Sequence, residues 1–256
     1  MSDMHGKFGW IDYMADDVGA AEKFYGAVLG FESRDAGGGM DYHILHKAGV
    51  DYGGLMKMPA VAKAGGMKPC WLGYVMVDDI DASLAAAKAA GGQSYTPIVD
   101  VPGMLKFIAI SDPHGAPFYL MQPMGPPPPD GAPKDGSPGT VGWRELMAGD
   151  LENAFAFYSG LFGWKKTHVH DMGPMGAYQL WSAGGQEGGM MNKMPQTPRP
   201  FWNYYFNVDG LDAATARVSA AGGTIVNGPM EVPGGQWVAQ GIDTQSAFFA
   251  LVANAR

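Results

Sequence analysis

Two carboxylates draw attention by their neighbours. Asp12 lies in Gly9-Trp10-Ile11-Asp12-Tyr13-Met14, and Glu145 in Gly142-Trp143-Arg144-Glu145-Leu146-Met147. An acid next to a tryptophan in apolar surroundings has its charged form disfavoured, and such a group suits general-base work. The same acid can instead be structural, bonding backbone or an arginine. The six histidines are less suggestive. His43 and His46 stand three apart on a strand-like run, so they point to opposite faces and cannot share a metal ion without a bulge. His5 belongs to the chain start, His114 to an Asp-Pro-His-Gly turn, and His168 and His170 follow a helical segment, where they could line a site mouth but are expected in solvent by default. Cys70 has no partner for an internal disulfide, and it reads as a small core hydrophobe rather than a nucleophile. Gly37-Gly38-Gly39 and Gly234-Gly235 lack the Lys-Ser/Thr of a phosphate loop and read as turns.

Composition narrows the classes of partner. The chain has 256 residues and a net charge of −8, with no Lys/Arg run, so nucleic acid and anionic membranes are not expected partners. No stretch reaches the ~18 apolar residues of a membrane helix, and the start lacks a signal-peptide layout. A cytoplasmic protein is therefore expected. With 39 Gly and 19 Pro the chain approaches a disordered composition, yet 46% hydrophobic and 12% aromatic residues argue for packed structure.

The elements that must position these residues come in repeats. Gly125–Gly139, GPPPPDGAPKDGSPG, reads as a semi-rigid spacer around Pro126–Pro129. It divides the chain into modules 1–123 and 141–256 with a linker at 124–140. The modules are copies. Phe24-Tyr25 returns as Phe157-Tyr158, Gly53-Gly54-Leu55-Met56 as Gly188-Gly189-Met190-Met191, Trp71 as Trp202, and Val101-Pro102-Gly103 as Val232-Pro233-Gly234. Within each module the grammar repeats again. A strand (Phe8–Met14) precedes a helix with Ala21, Phe24, Tyr25, Val28 and Leu29 on one stripe, then Gly30, and strands near Tyr42–Ala48 and Tyr52–Met58. A second unit opens with Cys70–Val77, continues through an Ala/Leu helix ending at Gly91-Gly92, and closes with strands near Thr96–Asp100, Leu105–Ser111 and Pro117–Gln122. The pattern is βαβββ, four times.

Strand, Asp, helix with Phe-Tyr, Leu29-Gly30-Phe31, a second strand with Val-Asp, Gly-Gly, and Asp112-Pro113-His114-Gly115 before a last apolar strand together resemble the vicinal oxygen chelate superfamily. This is the glyoxalase/bleomycin-resistance/dioxygenase family, and the match is to its two-module subgroup, often described as hydroxylases. The resemblance implies an α+β fold in which two βαβββ units form a curved eight-stranded sheet around a cleft holding a divalent metal or a small ligand. Metal-bearing relatives use His, Gln or Glu at four positions. Here those positions carry Trp10, Gly53-Gly54, Leu72 and Tyr119, and in the second module Trp143, Gly188-Gly189, Asn203 and Ala250. None supplies a carboxylate or imidazole, so no metal is expected at the usual site.

Taking Trp10 and Trp143 as cleft-facing, alternation assigns the rest of that face. The first module then presents an apolar surface with Trp10, Asp12, Tyr74 and Tyr119. The second presents a more polar one with Trp143, Glu145, Asn203, Tyr205 and Asn207; Gln179 is a separate candidate, singled out because it matches His43. Asp12 and Glu145 are the candidate catalytic acids, and the others are candidate ligand contacts. Among 18 methionines, those on this face suit an adaptable pocket wall. The leading expectation is a metal-independent binder of a small organic ligand. The competing one is a lyase, isomerase or oxygenase that uses Glu145 as base, or Fe, Mn, Ni or Zn at unusual ligands. A third is a protein whose clefts are filled by side chains and whose surface meets partners. The duplication makes an intrachain pseudo-dimer, and a homodimer stays open.

Overall fold

In the computed structural model of the chain, residues 2–37, 41–125 and 133–256 are described. Pro126–Pro129 and Gly38-Gly39 lie outside them. The first module contains β1 (Phe8–Ala15), α1 (Val18–Leu29), β2 (Glu32–Asp35), β3 (Tyr42–Lys47), β4 (Val50–Lys57), α2 (Ala60–Ala64), β5 (Cys70–Met76), α3 (Ile80–Ala89), β6 (Gln93–Ser94), β7 (Val99–Val101), β8 (Leu105–Ser111) and β9 (Pro117–Pro123). The second contains β10 (Val141–Ala148), α4 (Leu151–Phe162), β11 (Lys165–Asp171), β12 (Ala177–Ala183), β13 (Gln186–Asn192), β14 (Phe201–Asn207), α5 (Leu211–Ala220), β15 (Thr224–Glu231), β16 (Trp237–Ile242) and β17 (Phe248–Ala253). The strand orders are β2-β3-β4-β1-β5-β9-β8-β6, with β7 added on β8, and β11-β12-β13-β10-β14-β17-β16-β15. This is the α+β arrangement of two tandem modules.

Local chemistry explains the helices. Asp17 caps α1 by accepting from the Ala20 amide, the stripe Ala21, Phe24, Tyr25, Val28 and Leu29 is buried, and Gly30 ends the helix at φ 75°. Asp150 and Gly163 do the same for α4. Strand β2 was not expected from the sequence. Its residues, Glu-Ser-Arg-Asp, are all exposed, so no alternation of apolar residues marks it.

By packing, the chain forms two compact units, each drawn from both modules. The first comprises Met1–Trp10, Leu72–Pro127 and Arg144–Trp202. In it α4 packs its stripe against β9: Phe118 meets Phe157, Tyr158 and Phe162 at ring distances of 6.4, 5.4 and 6.1 Å. Trp164 stacks on Trp181 at 3.9 Å, and Trp202 Nε1 donates to the Tyr158 hydroxyl. The second unit comprises Ile11–Trp71, Pro128–Trp143 and Asn203–Arg256. There α1 packs in the corresponding way, Phe24 on Phe249 at 5.6 Å and Tyr25 on Trp71 at 4.9 Å.

A buried aspartate organises each core. Asp243 Oδ1 accepts the amides of Gln245 and Ala247, and its Oδ2 accepts the hydroxyls of Tyr13 and Tyr25. Asp112 Oδ1 accepts the amides of His114 and Ala116, and Tyr158 OH lies 3.4 Å from its Oδ2. Burial, reinforced by Asp243, raises both Tyr13 and Tyr25 far above the ordinary tyrosine range, so they remain protonated donors. Burial also raises Asp112, partly offset by its backbone hydrogen bonds, and pushes the Cys70 thiol up to about 12.

Candidate ligand-binding surfaces

The two candidate acids occupy equivalent places on central strands. Asp12, in the second unit, is 1% exposed and lies opposite Gly54 in the parallel β1–β4 ladder. The Tyr42 hydroxyl, from β3, crosses Gly54 and donates to Asp12 Oδ1 at 2.8 Å. A Cβ at Gly54 would sit 2.1 Å from that hydroxyl and 2.4 Å from Asp12 Oδ1, so only glycine leaves the path open. In the first unit Glu145 is 6% exposed and lies opposite Gly189 in the parallel β10–β13 ladder. Tyr178, from β12, covers Gly189, its hydroxyl 2.1 Å from the place a Cβ would take. The repeated Gly-Gly thus has a structural reason: its second residue makes room for a phenol beside the acid. Tyr42 and Tyr178 were missed from the sequence, where their traces are a tyrosine immediately before His43 and Gln179 and the repeated glycine pair.

The aromatic candidates of the first module gather in the first unit. Tyr74 and Tyr119 are register partners and stack at 4.2 Å with rings 7° apart, and Phe107 meets them edge-on at 6.0 and 5.9 Å. Trp10 is half-buried. Met76 lies over Gly9, where a Cβ would come within 2.5 Å of its sulfur.

The second unit carries the polar candidates of the second module. Tyr205 is buried with Val238, Ala250 and Val252, and Trp143, Met230 and Val232 pack against them. Gln240, on the same face through the Tyr205–Ala250 and Ala250–Gln240 pairings, donates from Nε2 to the Tyr205 hydroxyl at 2.6 Å. Asn227 Nδ2 in turn donates to Gln240 Oε1 at 3.1 Å. Neither amide was anticipated. Asn203, two residues before Tyr205 and therefore on its face, is 3% exposed, and its Oδ1 has no hydrogen-bond partner among the described residues. Trp71 and Trp181, whose ring nitrogens are also unpaired, bury them inside aromatic clusters. Asn207 is occupied locally: its side chain covers Gly142, and Nδ2 donates to the Thr140 carbonyl and hydroxyl.

Gln179 pairs with Met190, the neighbour of Gly189, and so faces away from Tyr178 and Glu145. Its Nε2 donates to the carbonyls of His168 and Leu180, which spends the amide on backbone. His43 likewise turns to α1, its Nδ1 2.7 Å from Glu22. Among the described residues, no group of three or more His, Cys, Asp or Glu could hold a metal ion.

Comparison with known proteins places this geometry. Residues 7–120 and 140–246 match the sequence profile of the Glyoxalase/Bleomycin resistance protein/Dioxygenase superfamily. The chain belongs to this superfamily. CFP32 of Mycobacterium tuberculosis (strain CDC 1551 / Oshkosh), a protein that carries a glyoxylase name, is 33% identical over 248 residues, covering 95% of this chain and 93% of that one. The anthracycline biosynthesis protein DauV of Streptomyces sp. (strain C5) is 27% identical over 279 residues, 95% of this chain and 91% of the relative. Among solved structures, the Mn(II)-bound glyoxalase from Novosphingobium aromaticivorans superposes with a TM-score of 0.68 at 15% identity, covering 98% and 83% of the two chains. A variant of homoprotocatechuate 2,3-dioxygenase from B. fuscum gives 0.67 at 13%, covering 96% and 70%. At such identities the likeness shows a shared fold. The four positions where the resemblance implies metal ligands hold Trp, Gly, Leu and Tyr in one module and Trp, Gly, Asn and Ala in the other, a poor donor set for a dication.

Proposed function

We propose that the two modules, 1–123 and 141–256 joined by the linker 124–140, form a metal-independent binder of a small organic ligand, with the β14–β17 face of the second module as its discriminating surface. The observation that carries this reading is the buried, partnerless Asn203 Oδ1. An unsatisfied buried carbonyl costs about 1–3 kcal/mol, and a ligand N–H or O–H supplies the missing donor. Trp143, Tyr205 and the aliphatic residues around them offer a flat apolar wall beside it. Trp10, Tyr74 and Tyr119 provide an aromatic surface in the first module. The anthracycline connection in the Streptomyces relative's name fits a ligand with fused aromatic rings and phenolic hydroxyls. Asn207, held by Thr140, acts as support.

The test follows from the same physics. Asn203→Leu removes the orphaned carbonyl, so the ligand-free protein should melt at the same temperature or higher, while thermal shifts from a library of phenols and aromatic amides should disappear. A destabilised Leu variant, or shifts that survive it, would overturn the assignment.

A second reading rests on the buried carboxylates. Glu145 and Asp12, each on a central strand with a tyrosine-covered glycine opposite, fit acid–base chemistry on a bound ligand. Under this reading Glu145→Gln abolishes turnover but leaves ligand-induced shifts intact. A Gln variant that turns over as wild type removes Glu145 from catalysis. Elemental analysis of protein purified without chelators checks the metal-independent reading directly: one tightly held Fe, Mn, Ni or Zn per module would sink it.

A further inference from the structure

The hairpin joining β11 and β12 assembles donors that neither acid nor cleft residue uses. His168 and His170 stand two apart on β11, and their rings meet at a centroid distance of 4.5 Å and an angle of 68°. Three other histidines are engaged: His5 with the Leu161 carbonyl, His43 with Glu22, and His114 with Asn153. Among the described residues the rings of His168 and His170 have no such partner. A register shift between Lys166 and Val169 interrupts the β11–β12 ladder at His168, and Gln179 Nε2 holds the His168 carbonyl at 2.9 Å, so the backbone under the pair is fixed. With metal–nitrogen bonds of about 2.0 Å, two imidazoles on one ion lie on the order of 5 Å apart, close to the spacing already present.

Two thioethers follow at once. Met172 follows His170 by two residues, just beyond the end of β11, and Met175 lies on the short 3-10 turn Gly173–Met175 that the Met172 amide closes onto the Gly176 carbonyl at 2.9 Å. Both are exposed, at 39% and 45%. Among the described residues no third His, Cys, Asp or Glu completes a site for a hard or borderline dication. Two imidazoles with thioethers make a soft donor set, and soft donors select monovalent copper.

We propose that the β11–β12 hairpin binds one Cu(I) ion through His168 and His170, with Met172 and Met175 supplying sulfur. This site is independent of the ligand-binding surfaces proposed above. The test is anaerobic titration of the full-length chain with Cu(I) against a chromophoric Cu(I) chelator, with X-ray absorption on the loaded protein. Wild type should withdraw one equivalent and show both nitrogen and sulfur scattering. His168→Ala with His170→Ala should lose the withdrawal, and Met172→Leu with Met175→Leu should lose the sulfur signal and weaken binding roughly tenfold or more. All four positions are surface residues, so unchanged melting temperatures identify folded variants. No withdrawal by wild type, wild-type affinity in the His variant, or a Zn(II) preference indifferent to the Met substitutions would overturn the proposal.

Discussion

Replacing Gly54 by alanine isolates the reason for the repeated Gly-Gly. The backbone at Gly54 does not occupy the left-handed region, so alanine adds only a methyl group. That methyl would lie 2.1 and 2.4 Å from the Tyr42 hydroxyl and Cζ and 2.4 Å from Asp12 Oδ1, all far inside van der Waals contact. Tyr42 must therefore leave, and the hydrogen bond to a buried carboxylate goes with it. Such a bond contributes about 1.5–3 kcal/mol, and residual overpacking costs about 1–3 kcal/mol more. A total on the order of 3–5 kcal/mol, at ~2–4 °C per kcal/mol for a chain of this size, lowers the melting temperature by roughly 10 °C. Tyr42→Phe should show the hydrogen-bond part alone. In the double variant Gly54→Ala/Tyr42→Ala the clash with the phenol is absent and only the contact with Asp12 Oδ1 remains to be relieved, so its cost should fall short of the sum of the singles by about 1–3 kcal/mol. Urea unfolding of wild type, Gly54→Ala, Tyr42→Ala and the double variant measures the cycle. Additive costs, or a Gly54→Ala protein as stable as wild type, would show that the phenol does not depend on the glycine.

Other expectations concern the cores. Burial raises Asp112 in the folded chain, so the native state binds more protons than the unfolded one between the two titrations. The stability linked to this group is complete below about pH 4 and declines as pH rises through the folded value. Asp112→Asn keeps an acceptor for the His114 and Ala116 amides, and its melting temperature should vary less with pH above 4 than that of wild type; identical slopes would refute the linkage. Asp78 runs the other way, because hydrogen bonds from Ser2 hold it below the ordinary carboxylate range, and its contribution is lost on acidification below about pH 4. Each compact unit takes strands from both modules, so a chain divided within the linker should yield halves that fold together and fail to give native circular dichroism and sharp melting separately. Two halves that each melt cooperatively as monomers would refute this.

Legibility in the sequence followed physical contrast. The α1 and α4 stripes were readable because burial is one-sided and the caps are chemically distinct: Asp17 and Asp150 at one end, Gly30 and Gly163 at the other. Strand β2 was not, because an edge strand of Glu-Ser-Arg-Asp leaves every side chain in water. The compact units were also hidden. Sequence similarity marks which segments are copies, but the contact between Tyr25 and Asp243 joins positions far apart in the chain and depends on a turn whose role is visible only once folded.

The candidate face shows how far a period-two argument reaches. On β10 and β14 the chosen anchors set Trp143, Glu145, Asn203, Tyr205 and Asn207, and Asn203 emerged as the buried carbonyl without a donor. On β12 the sequence offered no such anchor: Gln179 stood out only as the match of His43, and a match between copies does not fix which face a strand residue takes. Gln179 lies on the side opposite Glu145, and the residue before it, Tyr178, covers the glycine paired with the acid. The glycine pair contained the missing information. A strand that carries glycine opposite a buried carboxylate in both copies implies that something crosses it, and the only side chains in β3 and β12 with the length, the hydroxyl and the matching position are Tyr42 and Tyr178.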